Sequence, residues 1–208
     1  MELATSILNM KKEKELLEKL NNTTTNYIHI DIMDGKFVKN QSDMFEFINN
    51  NKIIKPLDVH LMVEDTISYI NKYSKLNPNN ITIHYEIKNN LLESINLIKE
   101  KNIKVGLAVN PKTNINEIEK YLDKIDILLI MSVEPGLGGQ SYIDVSNKLK
   151  QARLLQKKYN FLIEVDGGIK DSNIKNIDTD IAVVGSFITS SNDFQLQINK
   201  LIDHIIKK

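Results

Sequence analysis

Two histidines and two aspartates lie at the ends of short apolar runs that are typical of β-strands. His29 and Asp31 are two residues apart in HIDIMDG, so their side chains point to the same side of a strand. His60 lies in DVHLM, and Asp166 lies in IEVDGG. Two imidazoles and two carboxylates from three strands could close around one divalent cation and leave positions open for substrate oxygens.

Each of these residues also has an ordinary structural interpretation. A histidine at the end of a strand is often only hydrogen-bonded, and an aspartate before two glycines is often only a turn residue. The prediction of a site therefore depends on all four residues together. His84, in ITIHYE, is a fifth candidate for which a structural role is favoured. Asp34 is interpreted as a loop or helix-capping carboxylate, and His204 as a surface residue.

All eight glycines lie in short motifs that follow apolar runs: HIDIMDG, VGLAVNP, EPGLGGQ, IEVDGG and GSFI. Backbone N–H groups in glycine loops bind anions without a side-chain charge. The pairs Gly167–Gly168 and Gly185–Ser186 therefore predict a phosphate site, with two ordinary turns as the alternative. Gly136–Gly139, which follows Pro135, predicts a mobile loop that closes over the substrate.

Short apolar runs alternate with longer amphipathic stretches along the chain. The spacing predicts strands at Leu3–Ile7, Tyr27–Ile32, Leu57–Met62, Ile81–His84, Lys104–Val109, Ile127–Val133, Phe161–Val165 and Ile181–Val184. It predicts helices at Lys12–Leu20, Thr66–Lys75, Leu91–Lys101, Ile115–Leu122, Val145–Tyr159 and Phe194–Ile206. Eight strands, each followed by a helix, indicate an α/β protein with a (β/α)₈ barrel, or TIM barrel, whose active site lies at the C-terminal ends of the strands. An open doubly wound sheet is the alternative.

Composition excludes several classes of protein. The 208 residues are predicted to form one domain, 1–208. Lys+Arg and Asp+Glu both number 27, and this zero net charge argues against a nucleic-acid partner. The absence of cysteine excludes disulfides and thiolate metal sites. We expect a cytoplasmic protein without a membrane partner, because MELATSILNM lacks the features of a signal peptide and no apolar stretch approaches the roughly 18 residues of a membrane span.

Taken in order, the motifs resemble the ribulose-phosphate 3-epimerase family from end to end. The matching segments are ATSIL, HIDIMDGKFV, DVHLMVED, ITIHYE, GLAVNP, IMSVEPGLGGQSYI, IEVDGGI and VVGSFI. HIDIMDG, DVHLM and VEPGLGGQ together are highly specific, whereas VDGG alone would mean little. The resemblance implies a barrel of the ribulose-phosphate-binding type. It also implies interconversion of D-ribulose 5-phosphate and D-xylulose 5-phosphate in the pentose phosphate pathway of carbohydrate metabolism, by a homo-oligomer.

The resemblance also assigns roles to individual residues. It implies one divalent metal ion, Zn²⁺, Fe²⁺, Mn²⁺ or Co²⁺, held by His29, Asp31, His60 and Asp166. Asp31 would be the acid/base on one face of the substrate and Asp166 that on the other, because inversion at C3 through an enediolate needs two groups. Substrate contacts would come from Ser6, His60, Gly136, Leu137, Gly138, Gly139, Gly167, Gly168, Gly185 and Ser186. Met33, Met62 and Met131 match methionines that line the family's site, with core packing as the alternative.

The segment after HIDIMDG departs from the family. The family usually continues with HFVPN and a later Gly-Pro, whereas this chain has KFVKNQSDMFEF. We therefore expect this loop to close differently over the site or to shape a different subunit contact.

Three other functions are alternatives. An epimerase of a six-carbon ketose phosphate, such as allulose 6-phosphate, would need the same side chains. A barrel that binds phosphate without catalysis is less favoured, because a binding protein has no need of four ligands. A decarboxylase or synthase barrel is disfavoured by His29 and His60.

Overall fold

Eight parallel strands close into a barrel in the computed structural model, which describes residues 1–87 and 89–206. The order around the barrel is β1-β8-β7-β6-β5-β4-β3-β2, and β2 pairs with β1 to close it. This closure confirms the predicted (β/α)₈ barrel, and the alternative of an open sheet is wrong. The barrel strands are β1 Glu2–Ser6, β2 Tyr27–Asp34, β3 Leu57–Met62, β4 Asn80–His84, β5 Lys104–Val109, β6 Ile127–Met131, β7 Leu162–Asp166 and β8 Ile181–Val184. A further short strand, Gln41–Ser42, pairs antiparallel with the end of β2.

Helices of unequal length connect the strands. The α-helices are Lys14–Asn21, Phe45–Asn49, Thr66–Tyr73, Leu91–Glu100, Ser146–Tyr159, Asp171–Ile174, Ser186–Thr189 and Phe194–Ile206. The 3₁₀ helices are Ser74–Leu76, Tyr85–Ile87 and Ile115–Lys124. The last of these corrects the predicted α-helix at Ile115–Leu122. The segment forms the tighter turns of a 3₁₀ helix, which begins at the capping box of Asn114 and Glu117 and still buries Ile115, Ile118 and Leu122. Among the described helices, each is too short or too polar to cross a membrane.

The strands alternate between two environments, as β2 shows. Ile28, Ile30 and Ile32 are buried in the large apolar cluster between the barrel and its helices. The intervening His29 and Asp31 are also buried, and successive side chains on a strand point to opposite faces, so they project into the barrel interior. Because apolar and polar residues alternate along β2, its polar side chains lie inside the barrel, near the C-terminal end of the strand.

Asparagine occupies turns where many proteins use glycine. Asn77 and Asn160 end their helices with φ angles of 50° and 44°, in the left-handed region that asparagine tolerates better than most residues. Six of the eight glycines instead line the cavity at the C-terminal ends of the strands.

Candidate active site

Four side chains from three strands converge at the C-terminal end of the barrel, as the sequence predicted. The candidate ligand atoms of His29, Asp31, His60 and Asp166 all lie within 4.8 Å of one another. Oδ1 of Asp31 lies 3.2 Å from Nε2 of His29 and 3.1 Å from Nδ1 of His60. Nδ1 of His60 lies 3.9 Å from Oδ2 of Asp166. We call these four residues the His/Asp cluster.

The two aspartates of the cluster differ in their protonation. Burial alone would raise the pKa of Asp31, but the charge of His29 and hydrogen bonds from both histidines lower it well below its usual range. Burial, together with the charge of Asp31, raises the pKa of Asp166 to about 7. Burial opposes the charged form of His29, yet Asp58 and Asp31 raise the pKa of that imidazole well above its usual value. Without a cation, protons therefore balance the charge of the two carboxylates.

The cluster fits a divalent cation. Ligand atoms that each lie about 2.0–2.2 Å from one ion are roughly 3–4 Å apart, which matches the three measured separations of 3.1, 3.2 and 3.9 Å. Imidazole nitrogen and carboxylate oxygen are both ligands of such ions.

Asp58, on β3, holds the far side of His29. Its Oδ2 lies 2.5 Å from Nδ1 of His29, and its Oδ1 accepts a hydrogen bond of 2.5 Å from Nδ2 of Asn80. A histidine that binds a metal through one nitrogen commonly donates its other N–H to a carboxylate, which fixes the orientation of the ring. Asp58 was not predicted from the sequence, although it lies two residues before His60 and must share its side of the strand.

Glu164, on β7, is a second buried carboxyl group that was not predicted from the sequence. It is buried in the barrel interior, and its candidate ligand atom lies within 4.8 Å of those of His29 and Asp58. Burial and the charge of Asp58 raise the pKa of Glu164 well above its usual value. Burial and the neighbouring charge of Asp58 therefore favour the protonated form of Glu164.

His84 and Glu86 extend the network on the other side of the cluster. Nε2 of His84 lies 2.8 Å from Nε2 of His60, and Nδ1 of His84 lies 3.2 Å from Oε2 of Glu86. Burial lowers the pKa of His84 to about 4, so that imidazole is neutral. Although burial opposes it, hydrogen bonds from His84 and Thr113 lower the pKa of Glu86. His84 thus has a structural role, as predicted, because it contacts His60 of the cluster.

A cavity of about 650 Å³ opens above the cluster. Asp31 and Asp166 line it, whereas His29 and His60 are fully buried. The cavity is also lined by the predicted substrate-contact residues Ser6, Gly136, Leu137, Gly138, Gly139, Gly167, Gly168, Gly185 and Ser186, and by Met33, Met62 and Met131. Residues that the sequence analysis did not select, among them Asn9, Tyr142 and Asn173, line it as well. The structure thus brings the predicted residues to one place, except that His60, which was also predicted to contact the substrate, does not line the cavity.

Ser6 connects the cavity wall to the cluster. Its hydroxyl donates a hydrogen bond of 2.8 Å to Oδ2 of Asp31, while Oδ1 of Asp31 faces the two histidines. Asp34, at the end of the same strand, instead accepts hydrogen bonds from the backbone N–H groups of Lys36, Phe37 and Glu64. Asp34 is therefore a loop carboxylate, as predicted.

The loop after β6 contacts the segment that departs from the family motif. Nδ2 of Asn40 donates a hydrogen bond of 2.8 Å to the carbonyl oxygen of Gly136. A Cβ atom on Gly136 would come within 2.9 Å of Cβ of Val38, which packs with Met33 and Met62. The loop also braces itself, because Nε2 of Gln140 donates to the carbonyl oxygens of Glu134 and Leu137. The divergent segment therefore supports one wall of the cavity.

Comparisons with known proteins agree with this geometry. A model of the Ribulose-phosphate 3 epimerase family matches residues 2–189. A protein of Buchnera aphidicola subsp. Baizongia pistaciae named ribulose-phosphate 3-epimerase is 43% identical over 187 residues, covering 85% of this chain and 82% of that protein. One of the same name from Helicobacter pylori strain J99 is 37% identical over 212 residues, covering 97% and 96%.

Solved structures show the same fold at low identity. The 3-hexulose-6-phosphate synthase from Salmonella typhimurium superposes with a TM-score of 0.65 at 13% identity, covering 100% of this chain and 99% of that chain. At this identity the similarity concerns the barrel alone.

Proposed function

The chain belongs to the ribulose-phosphate 3-epimerase family and is a carbohydrate epimerase, and we propose that it interconverts D-ribulose 5-phosphate and D-xylulose 5-phosphate. The observation that carries the proposal is the His/Asp cluster, whose four ligand atoms lie within 4.8 Å of one another at the floor of the cavity. The pentulose phosphate is taken from the names of the relatives. These comparisons do not favour a six-carbon ketose phosphate such as allulose 6-phosphate, or a barrel without catalysis.

Epimerisation at C3 needs two groups that exchange protons with opposite faces of the sugar. The C3 hydrogen is acidified by the neighbouring C2 carbonyl, and its return to the other face inverts the centre. In the proposed mechanism Asp31, which is held ionised, accepts the proton on a carboxylate oxygen. Asp166, whose pKa is about 7, supplies a proton from the opposite side, and the roles reverse for the reverse reaction.

The His/Asp cluster would hold one divalent cation. When bound, the ion supplies positive charge that stabilises the negative charge developing on the substrate as C3 loses its proton. Two nitrogens and two oxygens suit Zn²⁺, Fe²⁺, Mn²⁺ or Co²⁺. Asp58 keeps His29 oriented toward the cluster, and the hydroxyl of Ser6 orients Asp31.

The glycine loops would bind the phosphate group. Gly167 and Gly168 follow β7, Gly185 and Ser186 follow β8, and all four line the cavity. Barrels commonly bind phosphate at this position through backbone N–H groups. The loop of Gly136–Gly139 lines the cavity from the β6 side, and its closure would exclude water from the proton transfers.

Metal dependence and C3 exchange together test the proposal. Purified protein is stripped of divalent ions, checked by elemental analysis, and assayed for epimerisation of D-ribulose 5-phosphate and for exchange of the C3 hydrogen in D₂O. We expect both activities to fall at least about 100-fold and to return with one equivalent of cation per chain. Full activity of the stripped protein would contradict the proposal.

Substrate preference is tested with the same assay. The metal-loaded protein is given D-ribulose 5-phosphate and allulose 6-phosphate in parallel. We expect kcat/KM to be higher for the pentulose phosphate. A higher value for the hexulose phosphate would move the proposal to that substrate, and no C3 exchange with either would leave only a binding function.

A further inference from the structure

His60 faces a different partner with each of its two ring nitrogens. Nδ1 lies 3.1 Å from Oδ1 of Asp31 in the cluster, and Nε2 lies 2.8 Å from Nε2 of His84. Both histidines are fully buried, so bulk water cannot take the place of either partner. Two imidazole nitrogens at hydrogen-bond distance need one proton between them, because one must donate and the other accept. Which nitrogen carries that proton decides what Nδ1 of His60 can do.

Glu86 determines the direction of this hydrogen bond. Its Oε2 lies 3.2 Å from Nδ1 of His84, and its Oε1 accepts hydrogen bonds from the backbone N–H of Asn110, at 2.8 Å, and from the hydroxyl of Thr113. A carboxylate only accepts, so Nδ1 of His84 carries a proton, and a His84 ring that holds a single proton accepts at Nε2. Nε2 of His60 then donates, so the nitrogen of His60 that would bind a cation is Nδ1, which faces Asp31.

We propose that Glu86 is a positioning residue that acts through His84 to keep Nδ1 of His60 available as a metal ligand. The inference rests on the proposed function, since the cation is its object. We call His84 and Glu86 the relay of His60, because together they fix its proton. His29 is held more directly, by the single carboxylate of Asp58. Neither Glu86 nor His84 is among the four residues of the cluster.

The tautomers of the two histidines give a direct test that does not use activity. The chain has four histidines, which makes assignment of their ¹⁵N and ¹H signals tractable. We expect His84 to carry its proton on Nδ1 in the metal-free protein, and His60 to carry its proton on Nε2 in the Zn²⁺-loaded protein. A His84 protonated on Nε2 in the wild-type protein would overturn the proposal, whether or not the protein binds metal.

Glu86→Gln should reverse the relay. The glutamine oxygen is retained by the N–H of Asn110, so the amide NH₂ faces His84 and donates to its Nδ1. His84 must then carry its proton on Nε2, and His60 is driven to carry its own proton on Nδ1. We expect Zn²⁺ affinity, measured by competition with a fluorescent chelator, to fall about 10- to 100-fold. Glu93→Gln, on the exposed face of Leu91–Glu100, is the matched control and should bind Zn²⁺ like the wild type.

A double-mutant cycle separates the relay from a general structural effect. His84→Gln presents a carbonyl oxygen to His60 without depending on a proton at its other side. Adding Glu86→Gln to this variant should therefore change Zn²⁺ affinity by less than about twofold. The proposal is wrong if Glu86→Gln alone leaves Zn²⁺ affinity within twofold of wild type with the fold intact. It is also wrong if Glu86→Gln lowers Zn²⁺ affinity by the same factor in the His84→Gln background as in the wild type. Failure of wild-type protein to bind Zn²⁺ would instead contradict the proposed function.

Discussion

Asp31 and Asp166 bring their carboxyl groups within 4.8 Å of each other at the barrel mouth, although two strands separate β2 from β7. Hydrogen bonds and the charge of His29 keep Asp31 ionised, whereas burial and the charge of Asp31 keep a proton on Asp166 up to a pH of about 7. Two carboxyl groups with opposite protonation in one cavity are suited to removing and returning a proton.

Asp31→Asn and Asp166→Asn should each abolish epimerisation while preserving the fold. An amide cannot exchange the C3 proton, and general acid–base catalysis by one group contributes about 10²- to 10⁴-fold. We expect kcat to fall at least about 100-fold in each variant, with circular dichroism unchanged. Asp123→Asn, at an exposed position of the 3₁₀ helix Ile115–Lys124, serves as the control and should keep wild-type kcat. Near-normal turnover of either cluster variant would refute the assignment of two bases.

The strand positions were predictable because each strand is a short apolar run between polar connections. All eight predicted strands occur, with ends that differ by a few residues, such as β7 at Leu162–Asp166 rather than 161–165. Helix type was less predictable, since apolar spacing around Ile115–Lys124 is compatible with both α and 3₁₀ turns. The cluster was predictable because its residues end strands, and parallel strands end at one mouth.

The residues behind the cluster differ in how far the sequence could have revealed them. Asp58 and Glu164 each lie two residues before a predicted ligand, so the period of two places them on the same interior face. Glu86 lies beyond the end of β4, in the 3₁₀ helix Tyr85–Ile87, where the strand period no longer applies. Its contact with His84 follows from a loop geometry that the sequence does not specify.

Ser6→Ala should weaken catalysis without removing a proton-transfer group. Its hydroxyl donates to Oδ2 of Asp31, and a hydrogen bond to a charged group contributes about 1.5–3 kcal/mol. We expect kcat/KM for D-ribulose 5-phosphate to fall about 10- to 100-fold, measured in the coupled epimerase assay. Ser68→Ala, at an exposed position in Thr66–Tyr73, is the matched control and should not change kcat/KM. Equal kcat/KM for Ser6→Ala and wild type would argue against orientation of Asp31 by this hydroxyl.

Gly185→Ala tests the phosphate site. A Cβ atom there would meet its nearest neighbour, Cβ of Ser6, at 3.5 Å, which is ordinary contact, so the protein itself has room for a methyl group. The methyl group would nevertheless occupy the side of the cavity assigned to phosphate. We expect the melting temperature to change little and KM for D-ribulose 5-phosphate to rise at least about tenfold.

Gly168→Ala gives the contrasting result. Gly168 has φ of 64°, and a Cβ atom there would collide with the backbone nitrogen of Tyr142. We therefore expect this variant to lose stability in urea unfolding as well as activity. For the Gly185→Ala variant, an unchanged KM for D-ribulose 5-phosphate would show that Gly185 is not part of the phosphate site.

Asp180 joins three elements at the opposite end of the barrel from the cluster. Its Oδ2 accepts hydrogen bonds from Nε2 of Gln156, at 2.7 Å, and from the backbone N–H of Ile163, at 2.8 Å, while Oδ1 accepts from Nη1 of Arg153 at 2.7 Å. Although burial opposes it, the N–H of Ile163 and the guanidinium of Arg153 lower the pKa of Asp180. Asp180→Asn places an NH₂ group against one of these donors. We expect the free energy of unfolding at pH 7 to fall by about 1–3 kcal/mol.

The pH dependence of this loss identifies its cause. Because the pKa of Asp180 is lower in the folded than in the unfolded protein, its carboxylate stabilises the fold fully above the unfolded pKa of about 4, and this contribution is lost as pH falls through the folded pKa. The difference between wild type and Asp180→Asn in urea unfolding should therefore shrink as pH is lowered from 7 toward 3. Asp178→Asn also removes a carboxylate from Arg153, but its side chain is 66% exposed, so we expect a loss below about 0.5 kcal/mol. A pH-independent difference for Asp180→Asn would show that the hydrogen-bond geometry of Asp180, rather than its charge, stabilises this end of the barrel.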